Sequence, residues 1–193
     1  WKAKSDSSDH PWLITLDEIG MWYDGAMTDA EDPNHNTLRR YVLWGTLFSG
    51  AAGVEWYFGA KHPHNDLVSE DWRQRNRLWE ITNYAKVFFD SYLPYWEMQT
   101  NHGLVNSKEA YCLHKKDEIY AVYLPDSKSY TLNISAVKGK YSVQWFNPLS
   151  GNELQTGSVE IINGGGVHSL GSPPKNKSNL PDQDWVVLVK KLF

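Results

Sequence analysis

The chain has little cysteine, no long apolar run and no excess of positive charge. Cys112 is the only cysteine among 193 residues, which excludes an internal disulfide and disfavours a cysteine-based metal site. No apolar stretch approaches the roughly 20 residues that span a bilayer, so we expect no membrane-spanning segment. The 19 basic and 23 acidic side chains give a net charge of −4, which argues against nucleic acid as a partner.

Aromatic residues are abundant, and they are unevenly distributed. Ten residues are Trp, and eight of these lie within the first hundred positions. The same half, residues 1–100, carries 9 basic and 15 acidic side chains. Apolar sugar faces stack on aromatic rings, and carboxylates accept hydrogen bonds from sugar hydroxyls. This composition therefore favours a carbohydrate as the substrate.

An apolar run over residues 12–20 has two acids near its end, Asp17 and Glu18, which Ile19 and Gly20 follow. It predicts a parallel strand buried on both faces, with its acids at the end where α/β folds place their chemistry. Glu18 shares the parity of Leu16, whereas Asp17 points to the opposite face of a regular strand. Gly20 lets the chain turn away from the strand. Solvated acids at a strand end remain an equally good interpretation.

Strands and helices alternate through residues 1–100, which predicts part of an α/β domain. The residues before the first strand are expected to form a polar loop, and Asn36 to cap the first helix. A group of charged residues is interpreted as a solvated helix face: Asp71, Arg73, Arg75 and Arg77. The remaining predictions are a polar loop at 21–35, a helix from 36 to about 49, a strand at 54–58, a polar loop at 59–68 and a helix from 69 to about 92.

The hydrophobic period changes to two near Gly103, and turn residues then separate a series of short apolar segments. This spacing predicts an antiparallel β-sandwich over residues 101–193. The predicted strands are 111–113, 119–124, 130–134, 141–146, 158–162, 167–170 and 185–189.

Several ordered segments resemble a known family. Residues 15–20, 43–45, 53–59, 66–67 and 70–73 resemble the end of the TIM barrel of bacterial, apiosidase-related glycoside hydrolase-like proteins. The segments at 111–113, 122–125, 145–148 and 164–171 resemble the small β domain that follows this barrel, a domain labelled collagen-binding. The resemblance implies that residues 1–100 are the last βα units of the barrel and that 101–193 are the β-sandwich. It also implies that the N-terminal barrel portion of the same protein is missing here, and that the parent is secreted or periplasmic.

The resemblance further implies a retaining glycosidase in which Glu18 is the nucleophile at the end of barrel strand seven. Retaining hydrolysis needs a second carboxyl group about 5–5.5 Å away, which acts as the general acid. In such barrels this acid comes from strand four, which lies outside the chain, so the fragment alone is expected to be inactive. Asp17 and Glu55 are lesser candidates for the acid.

Other polar and aromatic residues are candidates for binding substrate. Trp56 and Tyr57 close the second strand, where a ring could form the floor of a sugar subsite, although packing explains one of them equally well. His62 and His64 are two imidazoles close to Asp66 and could form a metal site, but a hydrogen-bonded loop is the better interpretation, and neither metal nor cofactor is predicted. The substrate-binding candidates are Asp17, Trp22, Tyr23, Glu55, Trp56, Tyr57, His62, Asn65 and Asp66.

A second function stays open. The chain could be a non-catalytic accessory module whose sandwich binds carbohydrate or collagen, or the sandwich could only support the barrel. Residues 101–193 contain no obvious exposed aromatic platform or acidic collagen groove, which favours the hydrolase.

Overall fold

The computed structural model describes residues 1–20, 22–23, 25–61, 72–175 and 183–192. The chain divides into two compact units, Trp1–Lys86 and Val87–Phe193. The boundary between them falls inside a long helix.

The first unit contains a two-stranded parallel sheet and several helices. The alternation of strand and helix follows the sequence prediction, but the short N-terminal helix replaces a predicted loop. The hydroxyl oxygen of Ser5 accepts a hydrogen bond from the Trp12 backbone N–H at 2.6 Å, which ties this helix to the following chain. The elements are α1 (Lys2–Asp6), β1 (Thr15–Ile19), a π-helix (Leu38–Trp44) that continues into α2 (Gly45–Phe48), β2 (Gly53–Trp56), and a 3-10 helix (Trp72–Arg75) that continues into α3 (Asn76–Tyr92).

Strand β1 is not buried, and on this point the sequence prediction is wrong. Its first four residues are exposed, and just before it Trp12 and Leu13 are 62% and 82% exposed. Among the described residues, β1 pairs only with β2, so no further strand or covering helix removes its apolar side chains from water. An apolar sequence favours burial, but neighbouring elements must supply it.

The two predicted helices are present, with different details. The amide oxygen of Asn36 accepts a hydrogen bond from the Arg39 guanidinium at 2.9 Å and does not cap the helix. In α3 one apolar face is buried, and Leu78, Ile81 and Phe88 on it are fully buried. The predicted start of this helix, at 69–71, lies outside the described residues.

The second unit is antiparallel throughout its described strands. The strands are β3 (Gln99–Thr100), β4 (Tyr111–Lys115), β5 (Ile119–Leu124), β6 (Thr131–Asn133), β7 (Lys140–Phe146), β8 (Ile161–Asn163), β9 (Val167–Ser169) and β10 (Trp185–Lys191). A six-stranded sheet has the order β3-β4-β5-β10-β7-β8, and β6 pairs with β9 in a separate two-stranded sheet. All seven predicted strands are found: β5 has the predicted bounds, and the other six have shifted ends. Strand β3 was not predicted.

One core of buried residues joins the two sheets of this unit. Leu132 of β6 packs in it with Trp145 and Trp185, whose rings meet edge to face at 5.9 Å. The C-terminal part of α3 packs against β7, where Phe88 and Phe146 have ring centroids 4.8 Å apart.

The described helices include none that is long and apolar enough to cross a membrane.

Candidate functional site

Three acidic residues of the first unit lie at the same level of its parallel sheet. Leu16 pairs with Val54 and Ile19 pairs with Trp56, so two residues of β1 lie opposite one residue of β2. The two residues are Asp17 and Glu18, and the single residue is Glu55. This arrangement is a β-bulge, a feature that is frequent beside active sites because it redirects side chains. We call these three exposed acids, Asp17, Glu18 and Glu55, the acidic bulge.

Glu18 adopts a left-handed backbone conformation, with φ of 52°. This region is unfavourable for a residue with a Cβ atom, and such strain concentrates at functional sites. The parity argument that placed Asp17 and Glu18 on opposite faces assumed a regular strand. It does not hold here, because the bulge breaks the alternation at these two residues.

On β2, Trp56 and Glu55 point to opposite faces. The indole N–H of Trp56 donates a hydrogen bond to the Thr82 hydroxyl of α3 at 3.1 Å, and the residue is only 9% exposed. Because side chains alternate along a strand, exposed Glu55 lies on the face away from α3. This geometry assigns Trp56 to the core of the unit, so we do not retain it as a sugar-binding residue.

The loop after β1 places two aromatic residues beside the end of β2. Trp22 is 75% exposed, and its ring lies 5.4 Å from that of Tyr23. The hydroxyl of Tyr57 donates a hydrogen bond to the backbone carbonyl of Trp22. The carbonyl oxygen of Tyr23 accepts hydrogen bonds from the backbone N–H groups of residues 60 and 61, at 2.8 and 3.0 Å. These contacts bring Trp22, Tyr23 and Tyr57 together beside the end of β2, and their role in binding substrate stays a prediction.

Gly25 permits the close approach of this loop to the chain after β2. Its φ is +58°, and a Cβ atom at this position would lie 2.4 Å from the backbone of Phe58 and Gly59. The Ala26 backbone N–H donates a hydrogen bond to the Tyr57 carbonyl at 2.6 Å. Only a residue without a side chain fits this contact.

Arg75 binds both the loop after β1 and the chain after β2, a role that the sequence analysis missed. Its guanidinium donates to the carbonyl of Ala26 at 2.8 Å and to that of Phe58 at 3.4 Å, and it stacks 4.4 Å from the Phe58 ring. Arg75 is fully buried, so its interpretation as part of a solvated helix face is wrong. Its spacing of three residues before buried Leu78 was the available signal, since such residues share a helix face.

A second polar contact fixes the loop that leads to the π-helix. The Asp29 carboxylate lies 2.8 Å from His35 Nε2 and accepts the Arg77 backbone N–H at 2.8 Å. Sequence analysis did not select Asp29 or His35, because the contact that ties Asp29 to α3 involves Arg77, 48 residues away in the chain.

The remaining substrate-binding candidates, His62, Asn65 and Asp66, lie outside the described residues. The described part of the chain has no group of three or more His, Cys, Asp or Glu side chains arranged to hold a metal ion.

Solved structures with a similar fold put this site in context. A glycoside hydrolase family 5 protein from Bacteroides vulgatus matches 98% of this chain with a TM-score of 0.66 and 16% identity. A second match, described as a glycoside hydrolase, also covers 98% of the chain, with a TM-score of 0.68 and 14% identity. This chain shares its fold with part of each. It covers 43% and 45% of those chains, less than half of either.

A family model also matches the second unit. Residues 99–190 match the model described as "Putative collagen-binding domain of a collagenase". No curated protein matches the chain. The comparisons therefore connect the chain to glycoside hydrolase structures through its fold and to a collagen-binding domain description through its β region.

Proposed function

We propose that this chain is the C-terminal part of a retaining glycoside hydrolase that acts on a complex polysaccharide, with Glu18 as its nucleophile. The observation that carries the proposal is the position of Glu18. It is exposed, strained and in a bulge near the C-terminal end of a parallel strand. Catalytic residues of barrel enzymes lie at this end of their strands. The fold shared with glycoside hydrolases supports the same assignment.

In the proposed reaction, a carboxylate oxygen of Glu18 attacks the anomeric carbon of the sugar. The glycosidic bond breaks, and the general acid gives its proton to the leaving oxygen. Water, deprotonated by that same group, then attacks the anomeric carbon and releases Glu18. We assign the acid to the portion of the protein outside this chain, and Asp17 and Glu55 remain lesser candidates for it.

The aromatic side chains beside the acidic bulge would contact the sugar. Trp22 presents an exposed ring for stacking on an apolar sugar face, and Tyr23 packs beside it. Tyr57 orients Trp22 through the Trp22 carbonyl. Asp17 and Glu55 would accept hydrogen bonds from sugar hydroxyls. His62, Asn65 and Asp66 stay predictions for the same role.

The rest of a barrel would complete the first unit. Two parallel strands alone leave backbone groups unpaired and apolar side chains in water, and isolated two-stranded sheets are marginal. Exposed Trp12 and Leu13 fit a strand that further barrel elements cover in the parent. We therefore expect purified residues 1–193 to lack hydrolase activity, since loss of a general acid costs on the order of 100- to 10,000-fold.

Covalent labelling of the parent protein tests the nucleophile. A 2-deoxy-2-fluoro glycoside with an activated leaving group should label Glu18, identified by peptide mass spectrometry after digestion. The variant Glu18→Gln should lose the label, and Glu153→Gln, which changes an exposed carboxylate of the second unit, should keep it. Labelling of another residue, or labelling that survives Glu18→Gln, would contradict the assignment. Glycosidase turnover by residues 1–193 alone would contradict the placement of the acid.

A non-catalytic accessory module is the second candidate function. The match of residues 99–190 to a model described as collagen-binding favours it. Immobilised fibrillar collagen should then retain residues 1–193 in a salt-resistant way, and a polysaccharide-coated surface would test binding of carbohydrate. Retention on collagen together with failure of Glu18 labelling in the parent would favour this function over the hydrolase.

A further inference from the structure

A cleft of about 410 Å³ opens on the second unit beside the turn that precedes β4. This volume is in the range of clefts that hold small ligands. Its lining residues are His102, Gly103, Val105, Asn106, Ser107 and Lys108.

His102 presents a hydrogen-bond donor, because its other nitrogen is already engaged. The ring Nδ1 accepts a hydrogen bond from the Cys112 backbone N–H at 3.0 Å, so this nitrogen carries no proton. The hydrogen of the neutral imidazole is therefore on Nε2. Burial lowers the pKa of His102, which keeps the ring neutral at physiological pH. An edge-to-face contact with Tyr111, with centroids 5.1 Å apart, fixes the ring.

Two further side chains of the cleft lining also accept a hydrogen bond from a backbone N–H group. The Asn106 amide oxygen accepts a hydrogen bond from the Thr131 backbone N–H at 2.8 Å, which leaves the amide NH₂ as the donor. The Ser107 hydroxyl oxygen accepts from the Glu109 backbone N–H at 3.2 Å, which leaves its O–H hydrogen. Three neighbouring side chains thus turn their acceptors toward backbone N–H groups and keep donors.

Lys108 adds a positive charge to this set of donors. It is exposed at the rim of the cleft. The acid next to it in the chain, Glu109, lies 3.7 Å from the ammonium of Lys128, which also pairs with Asp126 at 2.6 Å. An ammonium group with several neutral donors complements a ligand rich in acceptors, above all a carboxylate.

We propose that this cleft binds the carboxylate of an acidic sugar, such as a hexuronic acid unit of a polysaccharide. The carboxylate pairs with Lys108, and the donors of His102, Asn106 and Ser107 bond to its oxygens or to the ring and hydroxyl oxygens. Val105, which is almost fully buried, adds an apolar contact. The choice of a sugar rests on the proposed carbohydrate function, but the site itself does not depend on Glu18.

Titrations followed by amide NMR test this site in residues 1–193. D-Galacturonate should shift the backbone resonances of Gly103, Ser107 and Cys112, and the matched neutral sugar D-galactose should not at equal concentration. Lys108→Met should weaken galacturonate binding about tenfold, the usual effect of losing a charge-assisted hydrogen bond. Lys138→Met, an exposed lysine outside the cleft lining, should leave it unchanged.

Several outcomes would overturn the inference. These are equal shifts with galactose, equally tight binding of acetate, and unchanged affinity in a Lys108→Met variant whose spectrum shows a folded chain. Shifts of the same resonances by a Glu-containing triple-helical collagen peptide, without any by galacturonate, would assign the cleft to a protein ligand. Binding of galacturonate with failed Glu18 labelling in the parent would contradict the catalytic proposal alone.

Discussion

The hydroxyl of Tyr57 donates a hydrogen bond to the backbone carbonyl of Trp22, and this bond ties the loop after β1 to the end of β2. We expect Tyr57→Phe to lower the free energy of unfolding by about 0.5–1.5 kcal/mol, measured by urea denaturation. Because Trp22 would lose its fixed position, KM of the proposed parent hydrolase should rise more than kcat falls. Tyr41→Phe, which changes a well-exposed ring, is the control. A fall in kcat without a change in KM would show that Tyr57 acts on the chemical step.

Two glycines of the first unit should respond differently to the same substitution. Gly25→Ala places a Cβ atom 2.4 Å from backbone atoms at a φ of +58°, whereas Gly53→Ala meets no atom within 4 Å. The left-handed conformation alone costs roughly 1–2 kcal/mol, and the clash adds to it. We therefore expect Gly25→Ala to lower the melting temperature clearly and Gly53→Ala to leave it unchanged or raise it slightly. Equal melting temperatures would mean that the loop moves away from Phe58 at little cost.

The strands of the antiparallel region were predicted well from the sequence, because their positions depend on features that are local in the chain. Period-two patterns and turn residues specified all seven predicted strands. The first unit was predicted less well. Burial of β1 requires neighbouring elements, which its own residues do not specify. The bulge at Asp17 and Glu18 is visible only in the pairing with β2.

In the candidate site, too, the sequence predicted the residues next to strand ends but not their contacts with distant parts of the chain. Sequence reasoning selected Glu18, Trp22, Tyr23 and Tyr57, because acids and rings next to strand ends are recognisable. It missed Arg75, whose acceptors at Ala26 and Phe58 are far away in the chain. It also counted Trp56 among the binding residues, although its hydrogen bond to Thr82 turns it toward the helix.

Asp117 should make part of the stability of the second unit dependent on pH. Its carboxylate accepts from Lys191 at 2.7 Å and from the Tyr141 hydroxyl at 2.9 Å, and these bonds hold the pKa of Asp117 below its ordinary value of 3.8. A lowered pKa in the folded state means that this stabilisation is present above the unfolded pKa and is lost as the pH falls through the folded one.

Asp117→Asn isolates this contribution, because Asn also tolerates the left-handed conformation at this turn, where φ is 64°. The native chain should have the higher denaturation midpoint at about pH 7, and the difference should shrink once the pH falls below about 3.8. Glu153→Gln should show no such difference. If the difference in denaturation midpoint between the native and Asp117→Asn chains stays constant down to pH about 2, ionisation of Asp117 is excluded as its cause.

Replacements of Glu18 separate a catalytic role from a structural one. A non-glycine residue at φ of 52° costs roughly 1–2 kcal/mol, and glycine removes this strain at an entropic cost of about 0.5–1 kcal/mol. Glu18→Gly should therefore be at least as stable as the native protein, and Glu18→Gln should differ from it by no more than about 0.5 kcal/mol. Both variants should lose covalent labelling in the parent, because neither offers a carboxylate to the anomeric carbon. If Glu18 instead holds the strand end together, both variants will melt at lower temperature, and labelling will decline only in proportion to the folded fraction.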